Sequence, residues 1–510
     1  MAQSQDERQV AVIDLGSNSF RLVVFTYVRD AWWKRTDEIF ESVRIGEGLE
    51  ATGDLQPAPM ERALETLELY AHFCRATGIE DIRPVATSAI REAGNRESFL
   101  IAARERAGLE VQVLSREEEA RYGYLAAVNS TTLRDGVSLD LGGGSMQLVR
   151  VSDRRARHMQ SWALGAVRMT ERFLSEGKAK PKRLKNLRAH VRDELVSAPW
   201  LSEGGQARCL VGLGGTVRNL AAAAMLAEGL PSGGVQGYEI SEAALDALVE
   251  QLAGLPADER GRVPGIKPVR GDLILAGAVV VQTVLECGGF SSLEATEAGL
   301  REGVFFERLL AGTEPPLLDD VRRSAVTNLA SQYHADFPHA RHVARLTLEM
   351  WDELATAGVH PGTGSEREML WAAAMLHDVG TTIDYDDHHK HSRYLILNSR
   401  LFGFAPREIA LIGQMARYHR KGTPSLAEFT PLAQPGDEEL LTRCSAVLRL
   451  AEQLERSRDQ SVKRARMDVV DGHVNLHLEA DADVSVARWA TERQRDIFKR
   501  AFGRELHVAS

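Results

Sequence analysis

The chain has 510 residues, 44% of them hydrophobic and 26% charged, so it can bury several cores and is long enough for about three domains. A formal net charge of -10 and a pI near 5.9 exclude a whole-molecule field that gathers polyanions; nucleic acid is not an expected partner, and an anionic substrate must be held locally. The four cysteines, Cys74, Cys209, Cys287 and Cys444, lie far apart with no CxxC pair, which excludes a disulfide frame or a cysteine zinc site and suits reduced, buried thiols.

The start, MAQSQDERQV, has no basic segment followed by an apolar one, and the longest apolar run, 274–285, is too short and broken to span a bilayer. A cytoplasmic protein without a transmembrane segment is expected. QVAVIDLGSNSFRLVVFTYV then reads as strand, Gly/Ser/Asn turn and strand, a hairpin presenting a polar loop. Helical spacing follows over 57–77, a strand over 82–86, a second helix over 96–107 and a short strand over 111–114. Ser115-Arg116-Glu117-Glu118-Glu119 has the Ser-x-x-Glu form of a capping box, so Glu119 sits near a helix N-terminus. The opening pattern recurs in GVSLDLGGGSMQLVRV, and a repeated hairpin implies duplicated halves. A strand with a Gly turn at Cys209–Thr216, a helix over 217–227 and an apolar helix over 272–285 complete this part. Beyond a plausible linker, AGTEPP, strand patterns nearly vanish up to about residue 461, and nine of the 15 histidines fall between His334 and His419. A β-rich stretch over 467–478 and a last helix over 486–502 end the chain.

The two hairpin loops, Asp14-Leu15-Gly16-Ser17-Asn18-Ser19 and Asp140-Leu141-Gly142-Gly143-Gly144-Ser145, expose backbone N–H groups with little side-chain obstruction, which suits phosphate oxygens. An aspartate at the strand end before such a loop can hold a divalent cation that neutralises phosphate charge, a role open to Asp14 and Asp140. One loop of this kind is commonly a plain hairpin; two with the same Asp-Leu-Gly-x-x-Ser form are far harder to obtain by accident. Hydrolysis needs a positioned, deprotonated water, and the Glu117–Glu119 run supplies carboxylates for it, although an acidic first turn also complements the helix dipole. The chain has no Gly-x-x-x-x-Gly-Lys-Ser/Thr, no Gly-x-Ser-x-Gly and no catalytic cysteine pattern, which favours metal-assisted water attack over a P-loop or covalent route.

The stretches VIDLGSNSFRLVV, VATSAIREAGN, SREEEARYGYLAA, SLDLGGGSMQLV, VGLGGTVRNLAA, EAGLREGVFFE and MLHDVGTTIDYDDHHKHSRYLILNS with RYHRKG resemble the exopolyphosphatase and guanosine pentaphosphate phosphohydrolase family of the actin-like ATPase superfamily. The resemblance implies an α/β fold of two actin-like (ribonuclease H-like) domains over 1–125 and 126–312. A helical HD-like domain over 317–461 and a small α+β segment over 462–510 would follow. It implies that Glu119 acts on the water, with Asp14, Asp140 and Glu119 at a Mg²⁺ or Mn²⁺ ion. Asn18, Ser19, Arg91, Gly142, Gly143, Gly144, Ser145 and Arg270 would hold phosphate. Gly214, Gly215 and Thr216 match a reduced nucleotide loop that either contacts phosphate or packs a helix on a strand. The implied activity is release of orthophosphate from the end of inorganic polyphosphate. Removal of the terminal phosphate of guanosine pentaphosphate at the same site is the alternative, and an actin-like ATP-binding protein or kinase is a third reading. A homodimer with a shared channel is expected from the same resemblance.

In the histidine-rich part, His377-Asp378 with His342, His391 and His419 resembles the HD metal constellation, except that Ala451-Glu452-Gln453-Leu454 stands where a final aspartate is usual. A metal site, a polyanion site and a purely structural use all fit. Three basic groups could guide a polyanion or be solvated helix faces. They are Lys178–Arg188; Arg417, Arg420 and Lys421; and Arg456, Arg458, Lys463, Arg464 and Arg466.

Overall fold

A computed structural model describes residues 7–174, 179–203, 209–231 and 234–508. Contacts divide the chain into two compact units, Met1–Val321 and Arg322–Ser510.

The first unit is built on two sheets of one design. β1 (Arg8–Leu15) pairs antiparallel with β2 (Phe20–Val28), which pairs with β3 (Trp32–Glu41); on its other side β1 runs parallel to β4 (Asp81–Ala86), and β4 runs parallel to β5 (Gln112–Val113). The order is β3-β2-β1-β4-β5. The second sheet repeats it with β8 (Arg155–Trp162), β7 (Met146–Ser152), β6 (Gly136–Leu141), β9 (Cys209–Leu213) and β11 (Ser292–Ala295), and adds β10 (Tyr238–Ser241) antiparallel at the edge. Val10, Ala11, Val12 and Ile13 of the central strand are fully buried, which is why β1 reads as a continuous β-branched and apolar run. The edge strands β3 and β8 are largely exposed; their polar outward faces give no apolar signal, and sequence periodicity missed both.

Each sheet has its own core, one centred on Ile13, Leu22, Tyr70 and Phe99, the other on Leu139, Leu148, Leu220 and Val280. The helix Pro57–Thr77 starts on a proline and stops at Gly78 in the left-handed region. The helix Ile274–Gly288 is buried on nearly every side, matching its apolar composition all round. The unit also holds helices at Arg96–Ala107, Arg116–Val128, Ala166–Phe173, Pro181–Leu195, Gly214–Ala227, Glu242–Gly254 and Leu300–Leu309.

The second unit packs helices Phe337–Thr356, Gly364–Leu376, His388–Leu397, Pro406–Tyr418 and Asp437–Leu454 with a small sheet of β12 (Val462–Val470), β13 (His473–Ala480) and β14 (Leu506–Val508). The single helix expected over 486–502 is two, Ser485–Glu492 and Arg495–Phe502. The break lets Ala487 and Ala490 bury one face while Ile497 and Phe498 bury another. Among the described residues no helix is long and apolar enough to cross a membrane.

Candidate active site

The two Asp-Gly loops occupy the same place in their sheets. Asp14 is the next-to-last residue of β1, opposite Arg21, and Asp140 the next-to-last of β6, opposite Gln147. Each loop is anchored by its carbonyls: Ser17 and Asn18 accept from the Gly46 and Arg44 amides, and Gly142 and Gly143 accept from the Ala166 and Val167 amides. With the carbonyls tied down behind, the loop amides can turn toward an anion. The loops also touch. A Cβ on Gly144 would lie 2.3 Å from the Ser88 hydroxyl and 2.9 Å from that of Ser17, and one on Gly143 would lie 3.3 Å from the Ser17 Cβ. Ser17 and Ser88 share a hydrogen bond of 3.1 Å.

Between the loops lies a cavity of about 120 Å³ lined by Asp14, Asn18, Ser19, Glu119, Asp140, Gly142, Gly143, Ser145, Gly214, Gly215 and Arg270, all singled out in the sequence. Gly144, Arg91 and Thr216 stand outside its lining. Gly144 faces a smaller adjoining recess. Thr216 is buried against the helix Ile274–Gly288, its methyl 2.5 Å from where a Gly277 Cβ would sit, so it packs a helix. The Arg91 guanidinium is turned to Glu119 at 2.7 Å and donates to the Leu114 carbonyl at 2.9 Å; it is a partner of the carboxylate. Three arginines that sequence reasoning did not select also line the cavity, Arg21, Arg218 and Arg301. Arg21 sits between Phe20 and Leu22 in a buried strand, and a charge within an apolar run was the available signal.

The capping box holds as read: the Glu118 amide donates to the Ser115 hydroxyl and the Ser115 amide to the Glu118 carboxylate. This starts the helix Arg116–Val128 so that its first turn delivers Glu119 into the cavity. Glu119 is 6% exposed, receives Arg91 on one oxygen and the Ser145 hydroxyl at 3.1 Å on the other. Burial raises its pKa, and Arg91 opposes the rise. Burial and then the Glu119 charge push Asp140 up to about 7; burial raises Asp14 too, against Arg301, whose guanidinium is 3.7 Å away. The arginines respond in the opposite sense. Burial pushes Arg218 and Arg270 down to about 10, with further lowering by Arg301 on the first and Arg21 on the second. Arg21 is lowered by burial and by Arg301. Guanidinium groups gathered around one cavity, three of them held below their usual range by burial and by one another's charge, are a site shaped for several negative charges.

Asp14 and Asp140 fit a hard divalent ion. Among the described residues neither carboxylate accepts a hydrogen bond, and both are driven toward protonation, a state that a bound cation reverses. No three ligand atoms in the cavity come within 4.8 Å of one another among the described residues, so water and substrate oxygens would complete the coordination, as suits Mg²⁺.

In the second unit, His377, Asp378 and His419 converge, and His339 and His388 join them. His342 and His391 do not. His342 bonds the Val462 carbonyl at 3.0 Å and faces Glu455, while His391, on the same helix as His388 but only half-buried, lies outside both groups. Five of the cations expected to guide a polyanion are engaged with acids: Lys421 with Asp387, Arg458 with Asp378, Lys463 with Asp481, Arg464 with Glu349 and Arg466 with Glu479. Arg188 bonds Gln282, and Lys178 lies outside the described residues.

A model of the Ppx/GppA phosphatase family matches residues 36–311, and a model of domain III of Ppx/GppA phosphatases matches residues 321–493. Among solved structures, the chain is similar to the Aquifex aeolicus member of the Ppx/GppA family, at 29% identity and a TM-score of 0.52 over 60% of this chain and 98% of that one. An exopolyphosphatase-like protein matches at 29% identity and a TM-score of 0.55 over 60% of this chain and 100% of its own. An exopolyphosphatase from Cytophaga hutchinsonii shares the fold at 22% identity and a TM-score of 0.55, over 59% of this chain and 98% of its own.

Proposed function

Since the chain belongs to the Ppx/GppA phosphatase family, and is therefore a phosphatase, we propose that it is an exopolyphosphatase that releases orthophosphate from the end of inorganic polyphosphate. The repeated strand order supports reading the first unit as two actin-like domains, and the helical bundle of the second supports an HD-like domain. The observation that carries the substrate class is the cluster of Arg21, Arg218, Arg270 and Arg301 around one small cavity with no aromatic ring in its lining: several adjacent phosphates are accommodated, and no base is stacked.

In the proposed reaction the terminal phosphoryl group lies between the two loops, its oxygens met by loop amides and by the Ser19 and Ser145 side of the cavity. Glu119 accepts a proton from water as the water oxygen bonds to the terminal phosphorus, and the phosphoanhydride P–O bond breaks with its electrons passing to the shortened chain. Arg91 keeps Glu119 ionised and aimed, and Ser145 holds its second oxygen. The arginines neutralise the charge of the leaving chain. A Mg²⁺ or Mn²⁺ ion between Asp14 and Asp140 would supply further neutralisation of phosphate charge. Guanosine pentaphosphate can present a terminal phosphate to the same groups, and ATP tests the actin-like ATPase reading. Phosphate release from long polyphosphate, guanosine pentaphosphate and ATP should rank polyphosphate first by kcat/KM; a preference for either nucleotide would overturn the substrate assignment. Glu119→Gln should lower kcat by about 10³-fold while polyphosphate binding persists, and full activity in that variant would refute the mechanism.

A further inference from the structure

Given the hydrolysis proposed above, on which this assignment rests, we infer that Gln147 orients the attacking water, its side-chain Oε1 accepting one water hydrogen while Glu119 takes the other. Gln147 lines the cavity yet is only 2% exposed. It lies in a cross-strand row, with Asp140 opposite it on β6 and Ser161 opposite it on β8. Residues directly opposite in neighbouring strands share a face, so the Gln147 side chain rises beside that of Asp140 on the face that meets the cavity.

Hydrogen bonding fixes which way the amide points. Gln147 Nε2 lies 2.9 Å from the Ser145 hydroxyl oxygen and 3.2 Å from that of Ser161. The two ends of a glutamine amide have nearly the same shape, so their placement turns on which neighbour can donate. Ser145 has a single hydroxyl proton, and it goes to Glu119, whose ionised carboxylate can only accept. The Ser145 oxygen must therefore receive from Gln147, and only the NH₂ end can give. The second N–H goes to Ser161. With both hydrogens committed to hydroxyls, Oε1 is turned away from them. Among the described residues no group donates to it, and it is not sealed from the cavity.

An amide oxygen cannot hold a phosphate oxygen, since both are acceptors, but it can hold water. Ser145 ties the two acceptors to one point: its hydroxyl oxygen is 3.1 Å from a Glu119 oxygen and 2.9 Å from the amide nitrogen of Gln147. A water between the Glu119 carboxylate and Gln147 Oε1 donates one hydrogen to each, which leaves a lone pair directed away from both. As the water oxygen bonds to the terminal phosphorus, its first proton passes to Glu119. The second stays on the new phosphate oxygen, still held by Oε1, and the electrons of the broken P–O bond leave with the shortened chain. Fixing the water in one orientation removes an entropic part of the barrier. Glutamine amides orient the attacking water in other phosphoryl-transfer sites as well. A neutral amide does so without adding charge beside Asp14, Glu119 and Asp140.

The test is phosphate release from tripolyphosphate by the full chain, at limiting and at saturating Mg²⁺, with polyphosphate affinity measured alongside. Gln147→Met keeps the length of the side chain and loses its amide. It should lower kcat by about 10- to 100-fold at both Mg²⁺ levels, with KM and polyphosphate affinity unchanged. In a Glu119→Gln background the same change should cost less than about threefold, because the two groups act on one water as a unit. Ser161→Ala frees one amide hydrogen from outside the cavity lining, and should lower kcat by about threefold to tenfold with KM unchanged. Parent kcat in Gln147→Met, a loss that saturating Mg²⁺ restores as for a metal ligand, or a loss confined to KM would each overturn the assignment. Where Gln147→Met fails to fold, parent kcat in Ser161→Ala overturns it. Full activity in Glu119→Gln would instead sink the hydrolytic mechanism itself, so the two failures are distinct.

Discussion

Asp140 is where burial and function pull hardest against each other. Its folded pKa lies near 7, against 3.8 when free, so the folded state binds its proton more tightly than the unfolded state does. For a carboxyl raised in this way, the favourable contribution is complete below about pH 4 and is lost as pH rises through about 7. The ligand-free protein therefore carries a cost at pH 8 that it does not carry at pH 4, at most about 4 kcal/mol by the linkage of pKa to free energy. Asp140→Asn should remove that cost: urea denaturation of the metal-free variant should give a stability gain over the parent that grows from pH 5 to pH 8, even though phosphate release is lost. A flat difference across that range would show that Asp140 ionises freely. The same titration shapes catalysis. In the proposed mechanism Asp140 and Glu119 both work ionised, so kcat/KM measured at limiting Mg²⁺ should fall as pH drops below about 7, and saturating Mg²⁺ should move that limb to lower pH. The carboxylates of this site were legible in the sequence because they end strands or open a helix beside glycine-rich turns. Arg218 and Arg301 were not, since an arginine on a helix ordinarily points to water and only the tertiary fold turns these two inward.

Among the elements, the loops depend on backbone closeness that local sequence does not announce. Gly165, at the start of the helix Ala166–Phe173, would place a Cβ 2.3 Å from the Gly143 carbonyl oxygen. The obstruction is backbone, so no rotamer change relieves it. Gly165→Ala should push the helix off the second loop, lowering kcat/KM by more than about tenfold and destabilising the protein by about 2 kcal/mol; chemical denaturation and phosphate release measure the two effects. Gly53→Ala is the control for a glycine with nothing within 4 Å of its Cβ position: it should leave activity unchanged and cost only the smaller penalty of a left-handed residue, about 1 kcal/mol. Helices such as Pro57–Thr77 and Arg96–Ala107 were readable from the residue pattern alone. Exposed edge strands were not, because strand order and hydrogen bonding define β3 and β8 while their side chains resemble those of any polar surface.

Across the whole molecule, every residue of the cavity lies in the unit Met1–Val321, and solved relatives match about 60% of this chain while being matched over nearly all of their own. A fragment of residues 1–321 should accordingly fold and release phosphate from tripolyphosphate with kcat within about tenfold of the full chain; an unfolded or inert fragment would show that the helical unit is required for the chemistry. The duplication itself was visible in the paired Asp-Leu-Gly-x-x-Ser loops. Its full extent was not, because the matching crossovers differ in length and composition and only strand order reveals them.

That duplication extends to the two helices that follow the fifth strand of each repeat, Arg116–Val128 and Leu300–Leu309. Each is capped by a glutamate at its third position, Glu118 and Glu302, and the two pass so close that a Cβ on Gly303 would lie 2.0 Å from the Tyr122 carbonyl oxygen. One of these sibling helices brings a carboxylate, Glu119, to the cavity and the other a guanidinium, Arg301. A linear polyphosphate has two chemically identical ends and no polarity along its backbone. On the proposed exopolyphosphatase reading, the direction in which it is consumed would come from the protein, and the divergence of these two helices, one bringing a carboxylate and the other a guanidinium, would supply it.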